Sequence, residues 1–153
     1  MAPEERLAEL GIALPPPPPA VAAYVPWVRT GNLVVTSGQL PWRDGVMAYE
    51  GKLGAELSVE DGYQAARLAA INAIAQLRDA VGELSRVVQL VRLEGNVHCA
   101  AGFQSHPQVL NGASELLNDV FGGRGRHTRT ALGTNEMPLN AAVLLVLWAE
   151  VEG

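Results

Sequence analysis

The stretch RVVQLVRLEGNVHC, residues 86–99, decides the fold. It predicts a strand, with Val87, Val91, Leu93 and Val97 on one face and Arg92, Glu94, Asn96 and His98 on the other, because successive strand side chains point to opposite sides. Upstream, Ser58 with Asp61 three residues on predicts a capping box. The helix it opens carries Tyr63, Ala66, Ala70, Ile74, Leu77, Val81 and Leu84 at helical spacing, and its many alanines let it lie close against a sheet. Downstream, Ser105 with Gln108 predicts a second capping box. The helix that follows has the apolar stripe Val109, Leu110, Ala113, Leu116, Leu117 and Val120, and Gly122-Gly123 ends it.

Further out, Val25–Arg29 and Asn32–Ser37 read as two strands joined at Thr30-Gly31. Residues 39–54 read as a glycine-containing loop with a short strand near Val46. Residues 128–135 and 143–151 read as two final strands. The order strand-strand-helix-strand-helix-strand-strand predicts an α+β domain, a mixed sheet with two helices packed on one face. The last strand is apolar from Val143 to Trp148, so both its faces should be covered. A partner subunit on the sheet's second face, in a closed homo-oligomer, is the expected solution.

The N-terminal part adds a helical extension. Residues 3–10 predict a short helix stopped by Gly11, and Pro15 to Pro19 follow as a stiff spacer. A proline run can also occupy an aromatic-lined groove, but the spacer is the simpler reading. The chain thus divides into a helix and proline-rich spacer, 1–19, and a domain, 20–153.

Bulk properties bound the function. At 153 residues the chain suits one domain. It is 48% hydrophobic and 18% charged, which excludes a disordered or fibrous protein. The net charge of −5 argues against a broad nucleic-acid-binding face. Cys99 is the only cysteine, so no internal disulfide forms and a reducing compartment fits. The N-terminus does not resemble a signal peptide, and the apolar run 141–149 is too short to cross a bilayer. The expectation is a cytoplasmic protein without membrane contact.

Several standard sites are absent. The sequence has no phosphate-cradling loop of the Walker type and no GxGxxG after a strand. His98, His106 and His127 lack metal-ligand spacing, and Ser37 is not in a nucleophile elbow. No metal or cofactor is expected. What stands out is FGGRGRHTRTA, residues 121–131. Arginine presents a planar fork of donors that matches a carboxylate or phosphate. Arg124 and Arg126 fall in the glycine-rich turn and read as solvated. Arg129 lies inside a strand, where a charge must face solvent, an acidic partner or a ligand cavity. Sequence alone leaves a structural ion pair and a ligand anchor both open.

Tyr24-Val25-Pro26, Gly31-Asn32-Leu33, Thr36 to Pro41 and Arg129-Thr130-Ala131, in this order, resemble the YjgF/RidA family. Gly51 to Gly54, Gly62 to Arg67, Val109 to Ser114 and His127 to Gly133 resemble its longer subgroup, described as "putative endoribonuclease, YjgF/chorismate mutase-like". The likeness spans residues 20 to 151.

This resemblance implies a chorismate-mutase-like fold and a homotrimer with a ligand cleft at each subunit interface. It implies that Arg129 grips a carboxylate, that Tyr24 stands at the place of an aromatic clamp, and that Ser37 and Gly38 line the cleft. Asn111 beside the second helix's buried stripe, His127 two residues before Arg129, and Glu136 near the final hairpin are further ligand-binding candidates. Family members hydrolyse enamines and imines to 2-keto acids and ammonia. Many carry a glutamate where this chain has Leu144 and a cysteine where it has Ala131. A leucine can neither orient nor deprotonate water. Three functions therefore compete: an enamine or imine deaminase, a non-catalytic small-anion-binding module, and an endoribonuclease.

Overall fold

The computed structural model describes residues 1–153. Its elements are α1 (Pro3–Glu9), β1 (Trp27–Thr30), β2 (Leu33–Thr36), β3 (Trp42–Arg43), β4 (Val46–Met47), α2 (Val59–Val81), β5 (Val87–His98), α3 (His106–Phe121), β6 (Thr128–Thr134) and β7 (Val143–Val151). Five strands form one sheet in the order β1-β2-β7-β5-β6. All neighbours are antiparallel except β5 and β6, which α3 joins as a parallel pair. The sheet is mixed, as the order of elements predicts. The strands β3 and β4 form a separate small hairpin in the stretch read as a loop. Asp44 and Gly45 turn it with φ of 52° and 77°, the positive pair that a tight two-residue hairpin turn requires.

Long helices α2 and α3 cover one face of the sheet. Ser58 accepts from the Asp61 amide and Asp61 accepts from the Ser58 amide, so the predicted capping box is complete. Ser58→Ala should lower stability by about 1 kcal/mol in chemical denaturation, because one first-turn N–H loses its partner. The second predicted box does not form. The Ser105 backbone has ψ of 31°, outside the extended region, and its hydroxyl caps nothing. The α3 stripe Val109, Leu110, Ala113, Leu116, Leu117 and Val120 is buried, as its spacing predicts.

Tyr63 departs from its expected role in the core. It is half-buried, and its phenol donates to Glu115 of α3. That hydrogen bond, and then burial, raise its pKa above the ordinary tyrosine value of 10.0. The neutral phenol is therefore favoured by folding. This tie between helices holds fully below about pH 10 and is lost as alkaline pH passes the raised value.

Strand β5 also corrects the sequence reading. Two irregularities, at Val87/Gln89 and Leu90/Arg92, shift its register against β7. They place Leu90 and Leu93 in the core and turn Val91 outward, 39% exposed. An extra residue at a bulge reverses the inside-outside alternation beyond it. In β7, Val143, Leu145, Leu147, Ala149 and Val151 are buried beneath the helices, whereas Leu144, Val146 and Trp148 on the second face are half-buried. Within one chain, then, only one face of β7 is fully covered. That second face also carries Arg92, which pairs with Glu94 at 3.0 Å and donates to Thr130.

The N-terminal segment packs onto the same body. Leu7 joins the main core, the Arg6 guanidinium donates to the Asp119 carbonyl, and the Glu4 carboxylate accepts from the Leu84 amide. In the proline run, the Pro18 carbonyl accepts from the Gln76 side chain.

Candidate functional site

Arg129 is the second residue of β6, an edge strand paired only with β5. Its side chain lies toward α3, which fastens one of its nitrogens. Nη1 donates to Asn111 Oδ1 at 2.9 Å and to Ser114 Oγ at 3.2 Å. Both acceptors are neutral, and Arg129 makes no ion pair with any acidic side chain. Its Nε and Nη2 have no protein partner. Those two nitrogens form one edge of the guanidinium, the geometry that meets both oxygens of a carboxylate.

His127 stands beside this group. Its Nδ1 is 2.6 Å from the Gly125 carbonyl and its Nε2 is 2.9 Å from Ser114 Oγ. A carbonyl only accepts, so Nδ1 carries the proton. In the neutral ring Nε2 must then accept from the Ser114 hydroxyl. One continuous chain results, from Arg129 to Ser114 to His127 to Gly125.

Asn111, Ser114, Asn118, Arg126, His127 and Arg129 line an open groove with no hydrophobic residue in its wall. Asn111, Ser114 and Asn118 are three and four residues apart, so they fall on one side of α3. Ser114 and Asn118 are the members that the sequence reading missed. The signal was present in that spacing, one step around the helix from the buried stripe.

The other predicted site residues lie elsewhere in the chain. Tyr24, Ser37 and Gly38 line a small cavity with Pro18, Gln39 and Trp42. Ser37 donates to the Val25 carbonyl at 2.5 Å, while Tyr24 is 48% exposed. Ser37 and Gly38 follow β2, which is separated from β6 by two intervening strands. At normal strand spacing that is roughly 14 Å. A single chain therefore does not bring Tyr24 or Ser37 to Arg129.

Leu144 sits beside Gly38. A Cβ placed on that glycine would be 2.9 Å from the leucine's side chain, so the space next to Gly38 is filled with hydrocarbon. Glu136 lies beyond the far end of β6, exposed, with its carbonyl held by the Thr134 hydroxyl. His98 is buried, and neither of its ring nitrogens has a partner. His98 pairs with Thr134 and Leu93 with Arg129, which puts His98 five residues along the strand, roughly 17 Å from the groove. No group of three or more histidine, cysteine or acidic residues is arranged to hold a metal ion. No helix is long and apolar enough to cross a membrane.

A mixed sheet covered by two long helices on one face, with an arginine groove on its edge strand, defines a two-layer α+β protein. The comparisons narrow this class. The family model described as "YjgF/chorismate mutase-like, putative endoribonuclease" matches residues 4–151, and the chain belongs to this family. It is 41% identical over 139 residues to protein TCP17 of Trypanosoma cruzi, covering 90% of this chain and 87% of that protein. Its fold matches a crystal structure of a "putative endoribonuclease" from Shewanella oneidensis with a TM-score of 0.96 and 45% identity, over 99% of this chain and all of the other. Atu1372 of Agrobacterium tumefaciens, described as of unknown function, matches with a TM-score of 0.91 and 38% identity, over 99% and 93% of the two chains.

Proposed function

We propose that the protein binds a small carboxylate metabolite at Arg129, in a cleft that a neighbouring copy completes within a homotrimer. The observation that carries this reading is the guanidinium itself. It is oriented by two neutral acceptors and has an unpaired Nε–Nη2 edge beside an open polar groove. A structural ion pair would have used that edge. The trimer is supported by two further facts. Ser37 and Gly38 follow β2 on the opposite side of the sheet from β6, and the face between them carries half-buried Leu144, Val146 and Trp148.

Isothermal calorimetry with 2-ketobutyrate, pyruvate and benzoate tests the reading. Saturable binding at one ligand per chain is expected, together with a trimer mass in sedimentation equilibrium. If none of the three acids produced a heat above dilution, carboxylate binding would be refuted.

Hydrolysis of an imine or enamine to a 2-keto acid is a second reading, favoured by the Ser114–His127 contact next to Arg129. Endoribonuclease action has less support. The net charge of −5 offers little to a polyanion, and the cationic groups of the groove are confined to one short segment.

A further inference from the structure

We infer that the cavity walled by the proline run Pro15 to Pro19 binds a small organic amine, an apolar or aromatic body carrying one ammonium group. This site is separate from the Arg129 groove and does not depend on the carboxylate reading above.

The cavity follows from what proline cannot do. Without N–H groups the run neither continues a helix nor pairs with a strand. It is held at its two ends instead. Helix α1 docks on the body through Leu7 and Arg6, and the Pro18 carbonyl accepts from Gln76 Nε2 of α2 at 2.8 Å. Between these ties the run stands off from α2 and the β3–β4 turn. The space left against Trp42, Asp44 and Asn72 is about 480 Å³, a size that suits a small ligand.

Three features of the wall select the ligand. Most of it is hydrocarbon, from five pyrrolidine rings, Val21 and the Trp42 indole. Water finds few partners there, so an apolar body displaces it favourably. Second, Asn72 is 1% exposed, and its amide nitrogen donates to the Leu40 and Trp42 carbonyls at 2.9 and 3.1 Å. Those two acceptors fix the amide's orientation and leave Oδ1 without a protein partner at the cavity wall. A carbonyl oxygen so deep in the fold gains from a ligand N–H. Third, Asp44 is the only charged residue in the wall, and it pairs with no cation.

Together these groups call for a donor that carries positive charge. An ammonium meets the Asp44 carboxylate and Asn72 Oδ1 with charge-assisted hydrogen bonds, and an indole adds cation–π attraction. The proline carbonyls, lacking N–H neighbours within the run, also only accept. An anion would face Asp44 with no arginine or lysine to offset it.

The test is calorimetry on the full-length protein with phenethylamine and tryptamine as probes. Saturable binding at one amine per chain is expected. The neutral analogue 2-phenylethanol should bind about tenfold more weakly or not at all. Asp44→Asn should weaken phenethylamine by about three- to tenfold, the range for a partly solvated charge pair. Asparagine tolerates the positive φ of 52° at this turn, so the hairpin should keep its shape. Affinity for 2-ketobutyrate should be the same in that variant as in wild type. Phenethylamine should also change the tryptophan emission, and Trp42→Phe should abolish that change although Trp27 and Trp148 remain.

No saturable heat from either amine at millimolar concentration would overturn the inference. So would 2-phenylethanol binding as tightly as phenethylamine, or an emission change that survives in Trp42→Phe. Equal losses of phenethylamine and 2-ketobutyrate in Asp44→Asn would overturn the claim of a separate site.

Discussion

Gly112→Ala is expected to be the most destabilising small substitution in the molecule, costing about 3 kcal/mol or more. Gly112 is where α3 crosses α2. A Cβ built on it would lie 2.0 Å from the carbonyl oxygen of Tyr63 and 2.9 Å from the carbonyl carbon. These are backbone atoms of α2, so no rotamer change relieves the clash. The helices must separate, and the core between Ala66, Ala70 and the α3 stripe opens with them. Overpacking alone usually costs about 1–3 kcal/mol, and a shift of two long helices adds lost contacts. Gly123→Ala is the control, because nothing lies within 4 Å of its added methyl. Urea denaturation of both variants decides the matter. A Gly112→Ala midpoint close to that of the control would show that the helices separate at little cost.

The second large effect is on binding. Arg129→Ala should weaken 2-ketobutyrate by roughly two orders of magnitude, since two charge-assisted hydrogen bonds at about 1.5 kcal/mol or more each disappear. Stability should change little, because no acidic partner is orphaned when the guanidinium goes; Asn111 and Ser114 keep access to water at the groove. Arg129→Lys should rescue only part of the affinity. An ammonium keeps the charge but cannot present a rigid two-nitrogen edge while also tying down Asn111 and Ser114. Calorimetry of the three proteins side by side measures this, and lysine performing as well as arginine would argue for simple charge attraction.

How far the sequence announced these features depends on the distance over which each is determined. The α2 cap and the α3 stripe are set within one or two helical turns, and both were legible. The outward turn of Val91 was not, because a bulge inserts a residue without a mark in the apolar pattern. Ser105 carried the letters of a cap but not its backbone angle. At the site, the placement of His127 and Arg129 on one side of the chain follows from their two-residue spacing, and both reach Ser114. The contact of Arg129 with Asn111 requires α3 to be docked, so residue patterns alone left an acidic partner open. The separation of Tyr24 and Ser37 from Arg129 depends on strand order, which no local signal encodes.

The parallel pairing of β5 with β6 through α3 has a consequence for how the molecule opens. Every residue of the polar groove, from Asn111 to Arg129, belongs to one unbroken strand–helix–strand segment between Val87 and Thr134. Such segments tend to behave as single cooperative units in native-state hydrogen exchange. Amides of α3 and β6 should therefore share one opening free energy, and ligand added to the groove should slow their exchange together. Drift in the distant β1–β2 hairpin would leave that protection untouched.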